Sequence, residues 1–267
     1  MADKKGQWSV NAEIWAEQKE ALQGMPLKKK LAYFWEYYRV HAIFAVAVIV
    51  ISVSIISSIA GNKPYSFNAI MLNSYFLDGE QISADFSEYA GLNSERYECF
   101  IDTFTNLNID EMGEQHIAAL QRIMAQVMAA DLDVIVSDGF HFINYAENLY
   151  FIDLRLVMDD AELARHAAAA NVFYIDQAVV DAMASAEFDP DTADTYVGLD
   201  ASAQKAVVEG YRDPRPMADP VPVGIFIADS PLIKDSAAYP TGSPVYGLIA
   251  NSGRMETALK YLDFLME

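Results

Sequence analysis

The chain has 267 residues, with 18 basic and 38 acidic side chains and Cys99 as its single cysteine. A net charge of −20 excludes a general affinity for nucleic acid, because phosphates would repel such a surface. One cysteine excludes an internal disulfide framework, so a folded domain must depend on its hydrophobic core.

The first long element is an apolar run, VHAIFAVAVIVISVSIISSIAG, from Val40 to Gly61. No Asp, Glu, Lys or Arg lies between Arg39 and Lys63. A helix of about 20 residues crosses the roughly 30 Å hydrocarbon core of a bilayer. A buried core helix with no polar face would need a larger domain around it, and an export signal would be shorter and closer to the N-terminus. The run therefore predicts a transmembrane helix over Ala42–Gly61, with cleavage after Ala60 as the open alternative.

The flanking charges predict the orientation of this helix. Residues 1–40 hold seven of the basic and five of the acidic residues, which leaves a net charge of −22 on the rest. Because basic flanks stay in the cytoplasm, we expect a cytoplasmic segment 1–39, a transmembrane helix 40–61, a linker 62–66 and an extracytoplasmic domain 67–267. The aromatic residues of AYFWEYYR, residues 32–39, are typical of the belt where rings meet lipid headgroups.

The outer segment alternates short apolar runs with helical patterns, which predicts an α/β domain with a mostly parallel sheet. The predicted strands are Phe67–Asn73, Tyr97–Thr103, Leu132–Ser137, Val223–Ala228 and Tyr246–Ala250. A C-terminal helix over Met255–Met266 should cover one face of this sheet. Its predicted core-facing residues are Met255, Leu259, Leu262 and Leu265.

Four stretches together resemble one family: LQRIMAQVMAADLDVIVSD, FINYAEN, LYFIDL and VYGLIANSGRMETALKYLDFL. Their order is similar to the first lobe of the type 2 periplasmic, or extracellular solute-binding, fold, over Phe67–Met158 and Val221–Leu265. The resemblance implies two lobes around a ligand cleft. Residues 159–220 are few for a full lobe, so we expect a reduced second lobe or a cap. The layout also resembles small membrane-tethered bacterial proteins of unassigned role.

Catalytic and metal motifs do not emerge from the sequence. It contains no phosphate-binding glycine loop, no nucleophile elbow and no zinc helix. His116, His141 and His166 are widely spaced, and Asp189, Asp191 and Asp194 fail the EF-hand pattern because Ala193 follows where an oxygen ligand is needed. We therefore expect a protein that is not an enzyme and that needs no cofactor or metal.

A ligand of such a sheet would bind at the carboxyl ends of its parallel strands. The residues predicted there are Asn73, Tyr75, Asp138, His141, Asp229 and Asn251. These residue types are also ordinary in turns and helix caps. Two functions stay open: a tethered solute-binding module associated with a membrane transporter, and an accessory protein that contacts another protein through a ligand-less fold. The partners predicted are the bilayer, through Ala42–Gly61, a membrane protein and an unknown small molecule, with nucleic acid excluded.

Overall fold

The apolar run folds as part of one continuous helix, α1, from Leu27 to Gly61. The span Tyr38–Ser57 within it has 20 residues, a mean hydropathy of 2.6 and no buried share, and it is long and apolar enough to cross a bilayer. It lies inside the chain, after the first 37 residues, rather than at the N-terminus. Membrane insertion of this helix stays a prediction that rests on its length and composition.

The computed structural model describes residues 26–61, 63–107, 114–185, 199–240 and 242–267, together with Ala16. The chain forms two compact units, Met1–Asn62 and Lys63–Glu267. The second unit is α/β, and each unit is described by itself below.

A six-stranded sheet forms the centre of the second unit, in the order β2-β1-β3-β6-β5-β4. Its strands are β1 Tyr65–Leu72, β2 Glu98–Asp102, β3 Val134–Asp138, β4 Val172–Asp176, β5 Pro220–Phe226 and β6 Pro244–Leu248. Strand β1 pairs parallel with β2 and β3, whereas β6 is antiparallel to β3 and β5, and β4 is antiparallel to β5. The sheet is therefore mixed, and the prediction of a mostly parallel sheet was wrong. A strand that is buried on both faces has the same apolar sequence in either direction, so composition could not reveal the reversal at β6.

The middle stretch 159–220 also differs from its prediction as a reduced lobe or cap. It contributes β4, whose residues Val172, Phe173 and Ile175 are buried, and this strand extends the common sheet beyond β5. The apolar residues of NVFYID are thus buried in the sheet that the rest of the domain forms. Through β4, the described part of residues 159–220 joins the same sheet as the flanking segments.

Helices cover both faces of the sheet, and alternation along β1 separates two cores. Phe67, Ala69 and Met71 enter one buried cluster, whereas Ile70 and Leu72 enter the other, as the period of two in a strand requires. The helices of this unit are α2 Gly79–Ala90, α3 Glu114–Met128, α4 Gly139–Glu147, α5 Asp160–Ala168, α6 Gln177–Ser185, α7 Ala201–Gly210, α8 Pro231–Ser236 and α9 Met255–Met266.

The buried stripe of α9 is rotated from the predicted one. Leu262 and Leu265 are buried as predicted, but the companions of these residues are Ala258 and Tyr261, and Met255 and Leu259 are only half-buried. The buried set follows the spacing i, i+3, i+4 and i+7 of a helix face. It joins Phe67 and Phe86 in an aromatic core, because the Tyr261 ring lies 4.9 Å from each of their ring centroids.

Both edge strands of the sheet have an outward backbone N–H already bonded. The N–H of Ile101 on β2 donates to Oγ of Ser83 on α2 at 3.0 Å. The N–H of Tyr174 on β4 donates to the carbonyl of Tyr211, after α7, at 2.8 Å. These contacts protect the edges against pairing with a foreign strand. A binding surface is therefore better sought at the ends of the strands.

Candidate functional site

Two predicted site residues meet where β1 and β3 end. Because these strands are parallel, Asn73 and Asp138 lie at one edge of the sheet. The Asn73 amide donates from Nδ2 to Oδ2 of Asp138 at 3.0 Å, and its Oδ1 accepts from the backbone N–H of Leu107 at 2.6 Å. Asn73 has a φ of +58°, a left-handed conformation that Asn tolerates better than most residues. One side chain thus joins three loops.

Asp138 also contacts His141, another predicted site residue, at the start of α4. Its Oδ1 accepts from the backbone N–H of His141 at 3.1 Å, as a helix N-cap does. Nδ1 of the imidazole lies 2.8 Å from Oδ2 of the same carboxylate. Burial acts to raise the pKa of Asp138, but the hydrogen bonds from His141 and Asn73 and the proximity of the imidazole outweigh it and hold the pKa below its ordinary value. The carboxylate is therefore ionised at neutral pH and lies within hydrogen-bond distance of Nδ1 of His141, to which Nδ2 of Asn73 is also close at 3.1 Å.

This arrangement leaves the other imidazole nitrogen with unused bonding capacity. Nε2 of His141 is buried and has no hydrogen-bond partner among the residues that the structure describes. A His–Asp pair of this kind can accept a hydrogen bond or move a proton. In the described part of the chain, no nucleophilic side chain is bonded to this nitrogen, and no group of three or more metal-ligating residues occurs. The cluster can therefore hold loops together or accept a donor from a ligand.

Tyr75 and Asp229 lie at the same edge but outside this cluster. The backbone N–H of Tyr75 donates to the carbonyl of Ala238 at 3.0 Å, and its ring is largely exposed. Asp229 is an exposed residue of the turn after β5. Since β5 runs in the same direction as β3, the turn after β5 lies at the same end of the strands as Asp138.

Asn251 is the predicted site residue that the fold places elsewhere. It follows β6, which is antiparallel to β3, so it lies at the opposite edge of the sheet. There its Nδ2 donates to the carbonyl of Val127 at 2.6 Å, at the end of α3. The prediction placed Asn251 with Asp138 because it assumed a parallel β6.

A surface that the sequence did not predict lies beside the cluster of Asn73, Asp138 and His141. We call it the aromatic patch, and it consists of Tyr75, Phe76 and Phe104, which are 45, 89 and 82 % exposed. The backbone N–H of Asn73 donates to the carbonyl of Thr105 at 3.0 Å, which ties the loop after β1 to the loop after β2. The two loops therefore present their rings from one edge of the sheet. Large apolar residues directly after two predicted strands were the available signal.

The loops that carry the aromatic patch are firmly held. The carboxylate of Asp102 accepts from the N–H groups of Phe104 and Thr105 at 2.8 and 3.1 Å and from Nη2 of Arg122 at 2.6 Å. Burial acts to raise the pKa of Asp102, but these bonds, that of the Thr105 hydroxyl and the Arg122 charge together lower it. Phe76 adopts a φ of +59°, which is costly for an aromatic residue and is maintained only by the surrounding structure.

A small pocket lies away from the predicted site. It has a volume of about 190 Å³, and its lining includes Ile175 of β4, Val179 of α6 and Tyr211, which follows α7. The Tyr211 hydroxyl donates to Oε1 of Glu147 at 2.6 Å beside it. Ligand pockets for drug-sized molecules typically measure roughly 300–1,000 Å³. None of the six predicted ligand residues lines this pocket.

Two further features of the sequence are the aspartates of the failed EF-hand pattern and the single cysteine. Asp189, Asp191 and Asp194 lie outside the described residues. Cys99 is half-buried, and burial, the largest influence, raises the pKa of its thiol to about 11, so it is protonated at neutral pH. A protonated thiol is a poor nucleophile.

Comparison of the sequence with protein-family models finds no match, and comparisons with curated proteins and with solved structures find none either.

Proposed function

We propose that the protein is a non-catalytic, membrane-tethered interaction module whose outer domain binds another membrane protein through the aromatic patch. The observation that carries this proposal is the pair of exposed rings, Phe76 and Phe104, on loops held by partly buried hydrogen bonds. A solute-binding function would instead need an open pocket at the predicted residues, and Asn73, Asp138 and His141 are bonded to one another.

The energetics of the rings favour an interface. Each exposed phenylalanine contributes about 2 kcal/mol when it is removed from water. Aromatic residues are enriched at the centres of protein interfaces, where a few buried rings provide most of the binding energy. Because hydrogen bonds hold both loops in place, less conformational entropy is lost when a partner covers them.

The charge of the outer segment indicates the chemistry of the partner. Its net charge is −22, and Asp78 and Glu80, just after the patch, are exposed. A partner surface with apolar pockets and basic residues around them would complement this region and associate faster at low salt.

The tether supports a partner in the same membrane. Helix α1 contains a span with the length and hydropathy of a membrane helix. Anchoring by this span would restrict the domain to a thin layer above the bilayer and raise its effective concentration toward neighbouring membrane proteins. A transporter is one such neighbour, and the flanking basic residues favour an extracytoplasmic domain.

Photo-crosslinking in intact cells tests this function. A photoreactive phenylalanine analogue is placed at Phe76 or Phe104 of the full chain, with exposed Leu156 as the control. We expect one discrete adduct from both patch positions and none from the control. Equal adducts from all three positions, or none at the patch, would contradict the proposal.

A second candidate is binding of a small solute at the Asn73–Asp138–His141 cluster, and the buried Nε2 of His141, which has no partner in the described part of the chain, favours it. Thermal-shift screening against sugars, amino acids and peptides tests it. A specific stabilisation by one compound, lost in Asp138→Asn, would support solute binding over the interaction module.

A further inference from the structure

Helix α1 is longer than the bilayer that it would cross. At the helical rise of about 1.5 Å per residue, its 35 residues extend roughly 52 Å, whereas the hydrocarbon core measures about 30 Å. The apolar span begins at Tyr38. The turns from Leu27 to Tyr37 therefore continue the helix beyond the hydrocarbon, through the headgroup layer and past it, on the N-terminal side.

Two cations of this extension share one helix face with Trp35. Lys28, Trp35 and Arg39 follow one another at i, i+7 and i+11, which places them on one face of an α-helix. Lys29 lies about a quarter-turn away. The side chains of all four residues are exposed. Glu36 is the only acidic residue of the helix.

None of these cations is neutralised within the described residues. Lys28, Lys29 and Arg39 take part in no ion pair there. Beside an apolar span, unpaired cations attract anionic headgroups, and each Lys or Arg near the surface strengthens that attraction by about fivefold. Trp35 lies between Lys28 and Arg39 on the same face, at the depth where indole rings contact the headgroup layer.

We infer that the N-terminal extension of α1 selects anionic phospholipids in the leaflet that it faces, through Lys28, Lys29 and Arg39. This inference rests on the proposed membrane anchor but not on the aromatic patch. It assigns the extension a ligand of defined chemistry, a negatively charged phospholipid headgroup.

Fluorescence quenching of Trp35 tests the inference. The full chain with Trp8→Phe and Trp15→Phe, in which Trp35 is the remaining tryptophan of three, is reconstituted in bilayers of equal parts phosphatidylglycerol and phosphatidylcholine. Bromine is placed near the top of the acyl chains of one lipid or of the other, so that the composition never changes. We expect about threefold or greater enrichment of the anionic lipid around Trp35. The enrichment should disappear in Lys28→Gln/Lys29→Gln/Arg39→Gln and at roughly 1 M salt.

Lys63→Gln provides the matched control, because it removes one cation from the opposite flank of the helix and should leave the quenching ratio unchanged. Equal quenching by the two brominated lipids would overturn the inference while preserving the anchor. Absence of quenching by both would show that the helix does not insert, which would overturn the anchor and the inference together.

Discussion

The guanidinium of Arg254 contacts the fully buried carboxylate of Asp133, with Nε 2.8 Å from Oδ2 and 3.0 Å from Oδ1. The same carboxylate accepts from the backbone N–H of Asn68 and from the Ser252 hydroxyl. It therefore joins β1, the start of β3 and the chain just before α9, at the sheet edge opposite Asp138. This ion pair holds chain segments together at one end of the strands, as Asn73, Asp138 and His141 do at the other end.

Removing Arg254 should destabilise the domain strongly. In Arg254→Met the buried Asp133 carboxylate loses its counter-ion, and breaking a buried pair in this way costs about 3–5 kcal/mol. The control is Arg215→Met, which breaks the exposed pair with Asp213 and should leave the free energy of unfolding nearly unchanged, because solvent screens the pair. Urea unfolding of Lys63–Glu267, a compact unit of its own, measures both. Similar losses for the two variants would contradict this account of the core.

The packing of α9 gives a second prediction. Leu262 is buried against the sheet, so Leu262→Ala should cost about 2–5 kcal/mol, and Leu262→Asp should unfold the domain. The control in the same helix is Lys260→Gln, which removes the exposed pair with Glu256 at 2.9 Å and should leave the free energy of unfolding nearly unchanged. A large shift of the unfolding midpoint in Leu262→Ala would show that α9 packs tightly on the sheet, and a small shift would show that it is loosely docked.

Acid should weaken the Asp138 cluster. The pKa of Asp138 is lower in the folded chain than its ordinary value, which is about 3.9 in an unfolded chain. The ionised carboxylate therefore contributes stability above about pH 4, and this contribution is lost as the pH falls through the depressed pKa. Asp138→Asn, which can still cap α4, should show a shallower loss of unfolding free energy between about pH 5 and pH 3. Identical pH profiles would mean that Asp138 does not carry this dependence.

The aromatic patch should be expendable for folding. Phe76 is exposed and has a left-handed φ of +59°, so Phe76→Gly should raise stability by about 1 kcal/mol while it abolishes crosslinking from Phe104. Gly91 has a φ of +65° at the end of α2, and Gly91→Ala should lower stability by a similar amount. A large loss of stability in Phe76→Gly would mean that the ring packs against the domain.

The sequence predicted where strands occur more reliably than how they run. All five predicted strands exist with shifted ends, because short apolar runs between helical patterns indicate burial in a sheet. Direction and order depend on which strands pair, and a buried strand carries no mark of its direction. The β4 run was assigned to a reduced second lobe or cap because residues 159–220 are few for the full lobe that the resemblance implies.

The predicted site depends in the same way on the directions of the strands. Asn73 and Asp138 meet because β1 and β3 are parallel, as assumed, whereas Asn251 lies at the other edge because β6 is reversed. Phe76 and Phe104 stand out in the sequence only as large apolar residues just after predicted strands, and their exposure depends on what the rest of the fold leaves uncovered. The aromatic patch therefore required the three-dimensional structure.

The most direct test of a tethered outer module is cysteine labelling in intact cells. In a Cys99→Ala background, which removes the single native thiol, Lys28→Cys reports on the N-terminal side and Glu80→Cys on the domain. A membrane-impermeant maleimide should label Glu80→Cys in intact cells and Lys28→Cys only after permeabilisation. Labelling of Lys28→Cys in intact cells with Glu80→Cys protected would reverse the topology and contradict the account.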